Sequence, residues 1–162
     1  MIKHILALAL MLTTVLVNPV LANTEPHHSN PTPVKRIKSN FIKKIVIHGD
    51  VDVILISGEA PGVTIDGNKK VVEKVKLVYQ HDNLEILAPQ YLHSENNPVI
   101  RIPAKGLVQL EVNGNGLVCS ETILNNAKPD VFINGLCLVK LSSNGKIKVH
   151  ASPNYELKYT KK

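Results

Sequence analysis

Two acidic side chains, Asp50 and Asp52, are the carboxylates best placed in this sequence for acid–base or calcium chemistry. Residues two apart on a β-strand point to the same face, with about 7 Å between them. That spacing suits the carboxylate pair of an inverting glycosidase or part of a calcium site. In the alternative interpretation Val51, Val53 and Leu55 face the core and the aspartates face water. Because no further acid is placed nearby by the sequence, we favour the structural role for this pair.

Cys119 and Cys137 are the two cysteines of the chain and lie 18 residues apart. Two cysteines without CxxC spacing indicate neither a disulfide scaffold, nor a structural zinc site, nor a thioredoxin-like pair. An oxidising compartment allows one bridge, and neighbouring strands, about 4.8 Å apart, are close enough for a disulfide. Counted from Gly116 and Gly135, however, the two side chains fall on opposite faces of their strands. The sequence leaves a disulfide between these cysteines open.

No other residue pattern indicates catalysis or cofactor binding. The histidines are scattered without the spacing of metal ligands, and no serine stands in a G-x-S-x-G nucleophile elbow. We therefore predict that the protein is not an enzyme and that it has no catalytic, cofactor-binding or metal-binding residues.

The first 22 residues have the three parts of a secretory signal peptide. Lys3 supplies the basic part, Ile5 to Val17 the apolar part, and Val20-Leu21-Ala22 the small-residue cleavage site. The apolar run has 13 residues, fewer than the roughly 18 to 20 that a membrane span needs. We therefore predict a signal peptide over residues 1–22 and an exported protein that is periplasmic, secreted or at the cell surface.

The charge of the chain favours anionic partners. Nineteen Lys and Arg residues against 13 Asp and Glu residues give a formal net charge of +6. The field of such a protein attracts anionic envelope components, acidic glycans or a host surface, within about 8 Å at physiological salt. We predict that an anionic surface is bound by four lysines: Lys43, Lys44, Lys146 and Lys148. The alternative is a solvated basic face that only confers solubility.

Nucleic acid is a poor partner for this chain. Aromatic residues make up only 4% of the sequence and Trp is absent, so platforms on which bases could stack are scarce. An exported protein also acts away from nucleic acid. We therefore predict no nucleic-acid partner, and consider self-association through exposed β-edges as a further mode of interaction.

The mature chain divides into a linker and one folded domain. Residues 23–40 contain three prolines among polar and basic residues, which predicts a flexible linker. Residues 41–162 contain short β-branched and alternating apolar runs, and Asn/Gly corners separate them at Val112 to Gly116, at Asn134-Gly135 and at Asn144-Gly145. No amphipathic helix of three turns is visible. The fold is therefore all-β, either a β-helix of stacked coils or an antiparallel β-sandwich.

The domain resembles a known family in its order of motifs. The run from Phe41 to Leu55, followed by Gly58, by Leu84-Glu85-Ile86 and by glycine-spaced strands from Leu110, resembles the family described as putative auto-transporter adhesin, head GIN domain. The resemblance covers roughly residues 41 to 159. It implies an exported domain with a right-handed parallel β-helix and without enzyme activity. The family's G-S-G corners appear here as Asn-Gly-Asn-Gly and single Asn-Gly, so the number of coils stays open.

From these observations we expect an exported, adhesin-like binding domain that acts at the cell envelope or outside the cell. One alternative is a periplasmic structural or accessory protein without an external ligand. A second alternative is a polysaccharide-acting β-helix enzyme, because stacked coils can carry acidic and basic residues on one face.

Overall fold

The computed structural model describes residues 35–37, 41–58, 62–90, 97–125, 127–151 and 157–161, which form thirteen strands and one short helix. In chain order the elements are β1 (Lys35–Ile37), β2 (Lys44–His48), β3 (Asp52–Ile56), β4 (Val63–Asp66), α1 (Lys69–Val72), β5 (Lys76–Gln80), β6 (Asn83–Leu87), β7 (Val99–Pro103), β8 (Gln109–Asn113), β9 (Gly116–Ser120), β10 (Asp130–Ile133), β11 (Cys137–Ser143), β12 (Lys148–Ala151) and β13 (Leu157–Lys161). The prediction of a mostly β protein is confirmed. The predicted signal peptide, residues 1–22, lies outside the described residues.

The strands form two sheets. Sheet A has seven strands in the order β1-β4-β7-β3-β9-β11-β13, and sheet B has six in the order β12-β10-β8-β2-β6-β5. The chain alternates between the sheets, since β2, β6, β8, β10 and β12 of sheet B are each followed by a strand of sheet A. Strands that come later in the chain are hydrogen-bonded to both sides of β2 and of β3. These two early strands therefore lie in the interior of their sheets.

Strand direction is mixed in both sheets. The interior pairs are parallel, as in β8–β2–β6 of sheet B and β7–β3–β9 of sheet A. Antiparallel pairs join β4 to β7, β1 to β4 and β5 to β6. The segment between β3 and β6 interrupts the alternation between the sheets. It consists of β4, α1 and β5, and both of its strands run antiparallel to their neighbours. The predicted right-handed parallel β-helix is therefore not confirmed, and a wholly antiparallel sandwich does not describe the parallel interior.

Period-two alternation in the strands creates the core. In β2 the apolar Ile45 and Ile47 are buried, and in β3 the same holds for Val53 and Leu55. Complete burial of one such side chain stabilises the fold by about 1.5–3 kcal/mol. The same alternation leaves the intervening residues of each strand on the outer face of its sheet.

Local sequence features explain the structure of the segment between β4 and β6, which contains α1 and β5. Asn68 caps α1, where its side chain accepts a hydrogen bond from the backbone N–H of Lys70 at 3.0 Å. Val72 and Val75 then bury their side chains in the core. β5 and β6 form a hairpin, since they pair antiparallel across a two-residue turn that contains His81 with a positive φ of 56°.

Glycines stack at the corners between sheet B and sheet A. A Cβ at Gly114 would lie 1.9 Å from the carbonyl oxygen of Gly49, and a Cβ at Gly135 would lie 2.0 Å from that of Gly114. No side chain fits at such a distance, so these corners need glycine because the backbones of neighbouring layers approach closely. The corners predicted at Val112 to Gly116 and at Asn134-Gly135 are confirmed, since each joins a strand of sheet B to one of sheet A.

Part of the predicted linker is ordered as a strand. Within residues 23–40 the structure describes residues 35–37, and these form β1 at the edge of sheet A. The pairing with β4 supplies partners for the backbone groups of that edge. No helix among the described residues is long and apolar enough to cross a membrane.

Candidate functional site

The outer face of sheet B carries polar side chains around one apolar residue, Val46. Val46 is the central residue of β2, and its half-buried side chain alternates with the buried Ile45 and Ile47. Lys44 and His48, two positions away in either direction, point to the same outer face. The strand itself therefore places one cation and one imidazole on opposite sides of Val46.

The two strands beside β2 place a carboxylate on each remaining side. Val46 is in register with Glu111 of β8 and with Glu85 of β6. Because β2 lies between these strands, the two glutamates are separated by two strand spacings, about 10 Å between their Cα atoms. Val46, which is shorter than either glutamate, forms the floor of a notch between them.

Ion pairs and hydrogen bonds hold these polar groups in place. Lys44 Nζ lies 3.9 Å from Glu111 Oε2, and His48 Nε2 lies 3.2 Å from Glu85 Oε1. Asn113 Nδ2 donates a hydrogen bond of 2.9 Å to Glu111 Oε1. The four side chains around Val46 are between 28% and 45% exposed, so they can be reached from solvent while their neighbours restrict their rotamers.

The notch continues into a groove of about 350 Å³, which we call the Val46 groove. Its lining consists of Lys44, Val46, His48, Val78, Gln80, Asn83, Leu84, Glu85 and Glu111. Val78 of β5 is in register with Glu85, so a second valine extends the apolar floor beyond that carboxylate. A pocket with an apolar floor and several convergent polar groups is the usual form of a small-ligand site.

An aromatic stack continues the same row of side chains. Phe132 of β10 is in register with Glu111, and His150 of β12 is in register with Phe132. The two rings are stacked, with centroids 4.5 Å apart and an angle of 10° between their planes. The groove therefore has an aromatic platform next to the Glu111 end.

The aspartates singled out in the sequence support the corner. Asp50 is buried, and its Oδ1 accepts a hydrogen bond of 2.8 Å from Asn115 Nδ2. Asp52 Oδ1 accepts a hydrogen bond of 2.8 Å from the backbone N–H of Leu117 and one of 3.3 Å from Asn97 Nδ2. These bonds join the corner of one layer to the next and give both residues a structural role. The expectation that both aspartates face water is wrong for Asp50, which is buried.

The structure places both cysteines as free thiols. Cys119 of β9 is in register with Lys140 of β11. Cys137 of β11 is in register with Gly116, which lies three positions before Cys119 on β9. Cys137 packs against the core, and Cys119 follows the buried Val118 and so points to the outer face. Burial raises the pKa of both thiols, that of Cys137 to about 11.

Three of the four predicted surface lysines lie beside acids. Besides the pair of Lys44 with Glu111, Lys43 Nζ lies 2.9 Å from Asp82 Oδ2 and Lys148 Nζ lies 3.7 Å from Asp130 Oδ1. The hydrogen bond from Lys43 holds the pKa of Asp82 below its usual range. Lys146 makes no ion pair within the part of the chain that the structure describes. The four lysines therefore do not form one continuous basic patch.

Most residues of the Val46 groove were not recognised from the sequence. His48 is one of the histidines without ligand spacing, and neither Glu85 nor Glu111 belongs to a motif in the sequence. One signal is present in two of the three strands, since polar and apolar residues alternate from Asn83 to Ile86 in β6 and throughout β8, whereas β2 has three apolar residues in succession. Their meeting depends on the sheet order β8–β2–β6, which alternation does not encode. No group of three or more potential metal ligands occurs among the described residues.

Comparison with known proteins agrees with this architecture. Residues 41–158 match the family model described as putative auto-transporter adhesin, head GIN domain. A crystal structure described as a putative adhesin from Parabacteroides merdae aligns with a TM-score of 0.60 at 18% identity, covering 81% of this chain and 57% of that one. No curated protein matches the chain.

A second crystal structure, of a putative adhesin from Bacteroides fragilis, gives a TM-score of 0.51 at 18% identity and covers 75% of this chain. The present chain covers 62% of that protein, so it spans less than two thirds of the length of either structure. At this identity the likeness concerns the fold alone.

Proposed function

Because the chain belongs to the family described as putative auto-transporter adhesin, head GIN domain, we propose that it is an exported, non-enzymatic binding protein that acts at the cell envelope or outside the cell. In this proposal the Val46 groove receives the ligand. The signal peptide predicted over residues 1–22 supplies the export signal.

One observation carries the proposal more than any other. Four polar side chains from three neighbouring strands converge around Val46, and each lies within 4 Å of one of the others, Lys44 beside Glu111 and His48 beside Glu85. Side chains that are fixed before binding lose less conformational entropy when a ligand arrives. A rigid sheet therefore presents a preorganised recognition surface.

The basic residues have a second, weaker role in this proposal. Lys43, Lys44, Lys146 and Lys148 contribute a positive field that attracts anionic envelope components or a host surface. Because three of them lie within 4 Å of a carboxylate, their contribution is mainly to the rate of encounter.

Binding to isolated envelopes tests the proposal. Protein purified from the exported fraction of expressing cells is mixed with envelopes from the same cells, and the sedimented fraction is measured. We expect saturable binding by the wild type. Val46→Trp fills the notch and is expected to lower the affinity by about tenfold or more, as loss of a central contact does. Aromatic side chains are favourable at strand positions, so this variant is expected to fold.

Ile54→Trp is the matched control. Ile54 is the central, outward-facing residue of β3, which follows β2 directly, and it lies on the opposite sheet. Its replacement should leave binding unchanged. A wild-type protein that stays in the periplasm and does not bind envelopes would favour the structural or accessory alternative. Equal loss of binding in both variants would contradict the groove as the site.

A further inference from the structure

We propose that the ligand of the Val46 groove is a neutral saccharide unit, not an acidic glycan or an anionic lipid. This inference rests on the function proposed above and names the ligand class of the same site. It departs from the expectation that the net positive charge of the chain selects the partner.

The local charge of the groove opposes an anionic ligand. Among its lining residues Lys44 contributes +1, and Glu85 and Glu111 contribute −1 each, so the formal charge is −1 with His48 counted as neutral. The one lysine already faces Glu111. An anion entering the groove would meet two carboxylates and compete with one of them for the only ammonium group among the described lining residues.

The hydrogen-bonding groups match hydroxyl groups. A sugar hydroxyl donates one hydrogen bond and accepts others, so it can bridge a nitrogen donor and a carboxylate that already lie close together. The groove presents two such pairs, Lys44 with Glu111 and His48 with Glu85. The amides of Gln80 and Asn83 add groups that both donate and accept.

The apolar floor fits the C–H face of a pyranose ring. Val46 and Val78 lie on either side of Glu85 in one row, so the apolar area is narrow and interrupted by a charge. Such a floor is too small for a hydrocarbon chain, whose binding requires extensive apolar burial. The stacked Phe132 and His150 continue the row beyond Glu111, where an adjoining sugar unit would lie.

Sheet topology excludes strand addition at β2, whose Val46 forms the floor of the groove. β2 is hydrogen-bonded to β8 on one side and to β6 on the other. Its backbone groups are therefore occupied, and a peptide could not extend the sheet there as it does at an exposed edge. At β2, recognition therefore comes from side chains, as in the binding of a sugar to a sheet face. β5, whose Val78 and Gln80 line the far side of the groove, is the edge strand of sheet B.

The test uses the exported protein and envelopes from the same cells. One portion of the envelopes is treated with mild periodate, which cleaves the vicinal diols of sugars. Soluble glycans released from another portion are divided by anion exchange into a neutral and an acidic fraction, and both are used as competitors. We expect periodate to abolish binding, the neutral fraction alone to compete, and affinity to change less than about twofold between low and physiological salt.

Isosteric variants test the role of each carboxylate. Glu85→Gln and Glu111→Gln keep the shape of the side chain but remove its charge, and each should weaken binding about tenfold through loss of a charge-assisted hydrogen bond. Arg101→Gln, on the outer face of sheet A, is the control and should bind like the wild type. Thermal unfolding of all three variants verifies that they are folded.

The outcomes separate this inference from the proposed function. Binding that survives periodate, or that only the acidic fraction inhibits, would overturn the neutral saccharide and leave the binding function standing. A steep loss of affinity with salt would do the same and would indicate a charged ligand. Absence of wild-type binding to untreated envelopes would overturn both proposals.

Discussion

Val46 and Ile54 occupy equivalent places in the two sheets, yet their surroundings differ. Each is the central residue of an interior strand, and each faces outward. Val46 has Glu111 and Glu85 as its neighbours across the sheet, whereas Ile54 has Cys119 and Arg101. The same backbone pattern thus carries two carboxylates on one face and a thiol and a guanidinium on the other.

The polar groups near Ile54 stabilise the fold. Asp52 accepts hydrogen bonds from Leu117 and Asn97, and Arg101 is paired with Asp66 on the adjacent strand. Near Val46 the ion pairs join groups that all border one groove. Polar side chains on a sheet face therefore indicate a binding site when they converge on an unfilled notch. Polar groups that bind the backbone of a neighbouring layer indicate structure.

Gly114→Ala should have the largest effect on stability, because Gly114 lies in the corner that joins β8 of sheet B to β9 of sheet A. The new Cβ would lie 1.9 Å from the carbonyl oxygen of Gly49, so the layers must separate. We expect a loss of about 3 kcal/mol or more in the free energy of unfolding, as for other severe steric changes. Gly106→Ala is the control, since Gly106 has a positive φ of 81° but open space around it. It should cost about 1–2 kcal/mol. Urea unfolding measures both, and equal losses would refute the close-approach explanation.

Asp52→Ala and Glu85→Ala should separate stability from binding. Removal of the Asp52 carboxylate leaves the N–H of Leu117 without its acceptor, so the free energy of unfolding should fall by about 1–3 kcal/mol while envelope binding stays intact. Glu85 makes a partly exposed contact of 3.2 Å with His48, so its removal should cost less than about 1 kcal/mol of stability but weaken binding. The reverse pattern would invalidate the distinction drawn between the two faces.

The two cysteines should react with an alkylating reagent at different rates. Since burial raises the pKa of Cys137 to about 11, that thiol is almost wholly protonated at neutral pH and should react last. Because the pKa of the Cys137 thiol is higher in the folded protein, the thiol ionises at a lower pH in the unfolded chain. The contribution of Cys137 to stability should therefore decline as the pH rises from 9.0 towards about 11. Peptide mass mapping after alkylation at several pH values measures the rates. A mass increase upon reduction of the exported protein would instead reveal the disulfide that the sequence left open.

Reversal of the exposed lysines should have the smallest effect. Lys146→Glu changes the net charge without breaking an ion pair within the described residues, and we expect less than about a twofold change in envelope affinity, largest at low salt. Lys148→Glu also sets an acid beside Asp130, so it should lower stability slightly more. A loss of binding as large as that of Val46→Trp would show that the basic surface contributes to the affinity as much as the groove does.

The sequence predicted local structure well. The Asn/Gly corners follow from turn residues, and the short strands follow from β-branched and apolar runs, and both signals act over a few positions. The antiparallel placement of β4 was not predictable, because alternation is the same in parallel and antiparallel strands.

Sheet order was beyond sequence reasoning for a related reason. β2 lies between β6 and β8, which begin 39 and 65 residues after Lys44, and no local pattern specifies that arrangement. The convergence of Glu85 and Glu111 on Val46 depends on this order and on exact register, so the Val46 groove could be recognised only in the folded structure.

Methyl NMR of the labelled protein during titration with the neutral envelope glycans tests the Val46 groove most directly. Val46 and Val78 line the groove, and Ile54 reports on the equivalent position of the opposite sheet. We predict saturable shifts of the Val46 and Val78 methyl signals and an unchanged Ile54 signal. Shifts of Ile54 with unchanged Val46 and Val78 signals would contradict the assignment of the binding site to sheet B.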